Sequence, residues 1–147
     1  MFKNILVATD GSPLSRSAAR QAVTLAKATG AKITGLHVAP AYKLHLYADY
    51  LPSDFLLPDA YKAKVQQVAQ RHLNAVKKLA EAAGVKFTGH YVMSDLIADA
   101  IVVAARKHRC DSIVMGSHGR SGISRLFLGS ETQKVLVKAK VPVVVTR

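Results

Sequence analysis

Two hydrophobic periods alternate along this chain from end to end, and that alternation constrains its fold more than any other feature. Continuous apolar runs rich in β-branched residues occur at NILVATD (4–10), AKITGLHVA (31–39), VKFTGHYVM (85–93), DSIVMG (111–116) and VPVVVTR (141–147). Such runs, lacking a clean polar alternation, suit strands covered on both faces. Between them lie segments with helical spacing. The first starts at Ser12, a cap residue, followed by Pro13 at the first helical position. Leu14, Ala18, Ala22, Leu25 and Ala26 keep its stripe, and Gly30 is placed to end it in a left-handed conformation. A longer helix is predicted from about Asp59 to Ala83, with Val65, Val68, Ala69, His72, Val76, Leu79, Ala80 and Ala83 inward and Gly84 as its stop. Residues 94–109 predict a third helix, capped by Ser94 or Asp95, with Ile97, Ile101, Ala104 and Ala105 facing the core. Residues 130–139 predict a fourth.

The order is βαβαβαβαβ. Right-handed crossovers turn such an order into an open parallel sheet with helices on both faces. The expected architecture is a three-layer, doubly wound α/β domain spanning residues 1–147, with five strands in the order 3-2-1-4-5. Ligands bind such sheets beyond the carboxyl ends of the strands, where the winding reverses. Here that point lies between strands one and four, at Thr9-Asp10 and Met115-Gly116. Residues 40–60 break the rhythm with three prolines and three of the five tyrosines. That stretch reads as an irregular surface excursion, either a lid or partner surface or an ordinary long connection.

Composition narrows the class. Half the 147 residues are hydrophobic and a fifth charged, an ordinary globular balance. The start has no signal-peptide layout, no apolar run is long enough to span a bilayer, and one cysteine, Cys110, suits a reducing compartment. A cytoplasmic location is the expectation. The formal charge of +12 favours anionic partners. Its basic residues are spread over nearly every segment, however, and the RKHR cluster at 106–109 complements the end of a predicted helix. Nucleic-acid binding is therefore not expected, nor is membrane association. Neither a Walker loop nor a GxGxxG fingerprint follows the first strand.

The stretch GSHGRSGISRLFLGS, residues 116–130, holds the chemistry. Gly116 leaves a buried strand, which lets backbone amides approach a ligand closely. Gly129 and Ser130 open a helix, whose free N–H groups make an anion site. Arg120 and Arg125 between them are counter-charges suited to phosphate. A Gly/Ser loop with a helix cap at Ser130 explains the same spacing without a ligand. Asp10 likewise serves either as a turn cap or as a site residue. His118 has no obvious orienting carboxylate, so no catalytic residue is assigned. The other histidines, His37, His45, His72, His90 and His108, lack metal-ligand spacing, and no metal ligand is assigned. Cys110 reads as a small core residue.

This stretch, with NILVATDGS, GLHV, DSIVMGSHGRSG and VPVVVTR, resembles the universal stress protein family in its nucleotide-binding branch, marked by Gly-x2-Gly-x9-Gly-Ser. The resemblance covers nearly the whole chain. It implies a flavodoxin-like, Rossmann-like domain of the adenine nucleotide alpha-hydrolase type that binds ATP as a homodimer. Asp10, beside Thr9, matches the acidic residue near the ribose, and Val38 matches the position whose backbone meets the adenine. Met115, Gly116 and Gly119, with the intervening Ser117 and the adjoining Arg120, match the ribose- and phosphate-side loop. Gly129 and Ser130, followed by the amides of Glu131 and Thr132, match the triphosphate cradle. Mg²⁺ bridging phosphate oxygens accords with the resemblance, without a dedicated protein cage. The C-terminal strand, Val141 to Thr146, is the expected dimer edge. The implied role is nucleotide-dependent regulation in stress responses; the alternative is a slow ATPase or nucleotidyl-transfer enzyme using the same site. Position 131 departs from the family, which often has an apolar or small residue there. Glu131 either stabilises its helix through the dipole or opposes a triphosphate unless a metal bridges them.

Overall fold

The computed structural model describes residues 1–43, 57–118 and 128–147. Its elements run β1 (Asn4–Ala8), α1 (Pro13–Thr29), β2 (Lys32–Ala39), α2 (Pro58–Ala82), β3 (Phe87–Met93), α3 (Ile97–Lys107), β4 (Ser112–Gly116), α4 (Ser130–Lys138) and β5 (Val143–Thr146). The sheet order is β3-β2-β1-β4-β5, with every pairing parallel. This is the doubly wound arrangement expected from the element order. Most of the irregular excursion expected over 40–60 lies outside the described residues.

Alternation within the central strands splits the core into two halves. Ile5 and Val7 face one side, where they pack with Ala18, Ala22, Ile33 and Val76 beneath α1 and α2. Leu6 faces the other, with Leu36, Ile101, Ile113, Met115 and Val135 beneath α3 and α4. Such two-sided burial is what a parallel sheet demands of its inner strands, and it explains why they show no clean polar alternation. Cys110 lies in the second half, and burial pushes its thiol above the ordinary range. At the far end of that layer, the rings of His90 (β3) and His108 (the cap of α3) stack with centroids 3.9 Å apart. Among the described residues no helix is long and apolar enough to cross a membrane.

Helix ends follow their local chemistry at α1. Ser12 Oγ accepts from Ser15 N–H at 3.2 Å, Pro13 is the first helical residue, and Gly30 ends the helix at φ +71°. At α3 the sequence expectation fails. Neither Ser94 nor Asp95 caps the helix; Leu96 occupies the cap position and supplies no side-chain bond. Ser94 instead accepts from the Leu96 N–H at 3.0 Å, closing a turn that delays the helix by two residues. The delay leaves Ile97 at the rim of a cavity, 40% exposed, while Ala98 takes the buried position. Ile101, Ala104 and Ala105 are buried as expected.

Candidate functional site

Above the carboxyl ends of β1 and β4 the sheet opens into a cavity of about 850 Å³. Each wall has a distinct construction. At β1, the Thr9 N–H donates to Leu36 O (2.9 Å), extending the strand pairing by one residue. The chain then turns sharply: Gly11 N–H donates to Thr9 Oγ1 (3.3 Å) and Ser12 N–H to Asp10 Oδ1 (2.9 Å). Asp10 is thus a turn cap, as its sequence context allows. It also lines the cavity.

The turn rests on two buried histidines. His37 Nδ1 lies 2.9 Å from Thr9 O, and since a carbonyl only accepts, this nitrogen carries the proton. His72, from α2, meets His37 edge-on with ring centroids 4.8 Å apart. It also fills the space beside Gly11, where a Cβ would come within 2.4 Å of His72 Nε2. Gly11 has φ +77°, so both its conformation and its surroundings exclude a side chain.

The opposite wall joins β4 to α4. Gly116 backs onto Leu14 of α1, where a Cβ would sit 3.2 Å from the Leu14 backbone. Thr132, 2% exposed, donates to the carbonyls of Gly116 and Ser117 at 3.1 and 3.2 Å. These two acceptors compete for one hydroxyl proton and together lock the first turn of α4 onto the end of β4. Gly129 N–H donates to Ser117 O at 2.8 Å, and a Cβ on Gly129 would meet that oxygen at 2.9 Å. Gln133 N–H is the first α4 amide bonded back along the helix, to Gly129 O. The amides of residues 130–132 therefore precede the intrahelical ladder, at the positive end of the α4 dipole.

Glu131 is held by two bonds. Its Oε2 accepts from the Ala98 N–H of α3 at 3.0 Å, and its Oε1 from Lys134 Nζ at 3.0 Å. The carboxylate thus supplies the side-chain cap that α3 lacks. A second tie, Lys138 Nζ to Asp99 Oδ1 at 2.7 Å, links the same two helices and holds the Asp99 carboxyl below its usual range.

Of the residues singled out from sequence, Thr9, Asp10, Val38, Met115, Gly116, Gly129, Ser130, Glu131 and Thr132 line this one cavity. Ser117 does not line it; its hydroxyl lies 3.1 Å from His118 Nδ1 and its backbone serves the wall. Gly119 and Arg120 lie outside the described residues, as does Arg125. Sequence reasoning missed the contribution of α2, whose Tyr61, Lys64, Val65 and Val68 also face the cavity. The signal was present: Tyr61 lies one turn before Val65 and extends toward the helix start the stripe that already held Val65 and Val68. Tyr61 reaches across to donate to Pro40 O at 2.6 Å and packs against Tyr42, ring centroids 5.3 Å apart. Among the described residues no group of three or more His, Cys, Asp or Glu side chains forms a metal-binding cluster.

The cavity has the size of a small-molecule site, an apolar lining and a few convergent polar groups. The model of the universal stress protein family matches residues 1–147. A universal stress protein of Thermus aquaticus is 36% identical over 147 residues, covering 100% of both chains. Among solved structures, protein MJ0577 of Methanocaldococcus jannaschii superposes with a TM-score of 0.82 at 27% identity, covering 99% of this chain and 96% of that one. A universal stress protein in complex with cAMP superposes with a TM-score of 0.70 at 26% identity, covering 99% and 97%.

Proposed function

The chain belongs to the universal stress protein family, and from that premise we propose that it is an ATP-binding regulatory protein acting in the cytoplasm, with little or no hydrolysis. The observation that carries this reading is the position of the α4 start. Its first residues, Gly129 to Thr132, line a cavity at the reversal point of the sheet, and so does Asp10. Phosphate oxygens suit the amides there, since helix N-termini combine unsatisfied donors with a favourable dipole. The base would lie along β2, where Val38 faces the cavity, and Asp10 would reach the ribose. The cAMP complex of a relative supports an adenine nucleotide as the ligand class. Binding rather than turnover is favoured because phosphoryl transfer requires an assembled set of cation, metal-binding acid and a group orienting the nucleophile. Among the described residues the histidine nearest the phosphate end, His118, is bonded to Ser117 rather than to a carboxylate. Where Mg²⁺ accompanies the nucleotide, phosphate oxygens would hold it.

Homodimerisation belongs to the same proposal. β5 is a sheet edge, and Val144 is exposed on it. Leu136 and Val137 of α4 are exposed as well. An unpaired edge carrying apolar side chains is hidden when a second copy pairs with it. Val144→Lys is expected to convert the dimer to monomer in light scattering; an unchanged mass would remove β5 from the interface.

Thermal denaturation tests nucleotide binding directly. ATP at millimolar concentration is expected to raise the Tm, because a ligand that binds only the folded state stabilises it. Gly129→Val should abolish the shift, since its side chain would displace the α4 start from Ser117 O. The absence of any shift in the unmodified protein would defeat the proposal.

A further inference from the structure

Glu131 stands in the turn of α4 that presents its amides to the cavity, yet its carboxylate is committed elsewhere. The bonds to Ala98 N–H and Lys134 Nζ hold it from two sides. α3 offers no side-chain cap of its own, so swinging the carboxylate aside would strip Ala98 of its partner. The negative charge is therefore fixed beside the α4 start. Only 36% of the side chain is exposed, so water and salt screen it incompletely. Lys134 offsets part of the charge, but that side chain is 57% exposed.

Among the cavity's described lining residues Asp10 and Asp95 add negative charge, and Lys64 is the one lysine. A first phosphate at the α4 amides gains the full benefit of the helix terminus. Each further ionised phosphate finds those donors already engaged, while it still feels the Glu131 carboxylate.

Resting on the nucleotide-binding reading above, we propose that Glu131 sets the phosphate-number preference of the site, favouring adenine nucleotides with one phosphate over metal-free triphosphate. A divalent cation carried by the triphosphate offsets this penalty by sharing the phosphate charge. The ligand class on which the site discriminates least against its own carboxylate is the nucleoside monophosphate.

Calorimetric titration with AMP and ATP, each with and without Mg²⁺, measures the preference as an affinity ratio. Glu131→Gln retains an oxygen for Ala98 N–H while removing the charge. It is expected to shift the AMP-to-ATP ratio toward metal-free ATP by about tenfold, the size of one partly screened charge at cavity distances. Mg²⁺ is expected to raise ATP affinity more in the unmodified protein than in Glu131→Gln. Lys134→Ala should move the ratio the opposite way, toward AMP. A purely structural role for Glu131 would change both affinities together and leave the ratio where it was. A ratio insensitive to Glu131→Gln, with both nucleotides still binding, overturns this proposal and leaves nucleotide binding intact. Failure of both nucleotides to bind the unmodified protein overturns both.

Discussion

Helices α1 and α3 both begin at the rim of the cavity, on opposite faces of the sheet, but they are started by different means. α1 is self-sufficient: Asp10, Ser12 and Pro13 lie within four residues of one another, and each bond that closes its first turn is local. α3 borrows its cap from Glu131, 33 residues further along the chain. One start is therefore fixed as soon as the local chain turns. The other gains its side-chain cap only when α4 is in place. Two sides of one site thus differ in how strongly they depend on the whole fold.

The largest expected effect breaks the α1 side. Gly11→Ala forces a side chain into a left-handed backbone and against His72, and is expected to cost about 3 kcal/mol in urea denaturation. A cost close to zero would mean that His72 moves aside freely and does not buttress the turn. Cap removal sharpens the contrast. Ser12→Ala and Glu131→Ala should each cost about 1 kcal/mol, a usual value for a lost helix cap. Hydrogen exchange separates them: Ser12→Ala should accelerate exchange at the start of α1 alone. Glu131→Ala should accelerate it at Ala98 and in the first turn of α4 together. If the Glu131 variant affected α4 only, α3 would not depend on the borrowed cap.

The smallest effect lies away from the cavity. Burial, the neighbouring His108 and Lys107 all lower the pKa of His90 below its ordinary value of 6.5. The unfolded chain thus binds a proton more readily than the folded one as pH falls below that value. Stability contributed by neutral His90 is present above the window and diminishes on acidification through it. The Tm of the unmodified protein should fall slightly more between pH 7 and pH 5 than that of His90→Gln, a difference measurable by calorimetry.

The same contrast explains what could be read in the residues. α1 was legible to its ends because Ser12, Pro13 and Gly30 act on their own neighbours. The strand order was legible because buried parallel strands and right-handed crossovers leave few alternatives. The misjudged start of α3 has a physical reason: Ser94 satisfies the amide of Leu96, and nothing local announces that a glutamate from another helix will cap Ala98. Residues 129–132 were legible as a helix start at the cavity, whereas the share of α2 depended on how far its stripe reaches before Val65. Gly11 was visible as a turn glycine. That a histidine 61 positions away occupies its missing side chain was not.

Asp10 and Gly129, which both line the cavity, are separated by 119 positions in the chain. No fragment ending before β4 can contain both walls. A molecule bridging them consequently reports on the completed topology rather than on any one segment. Its binding energy would oppose global unfolding while leaving local fraying of the outer helices largely unaffected. A ligand that spans both walls would therefore read out, through its effect on global unfolding, whether the central sheet is complete.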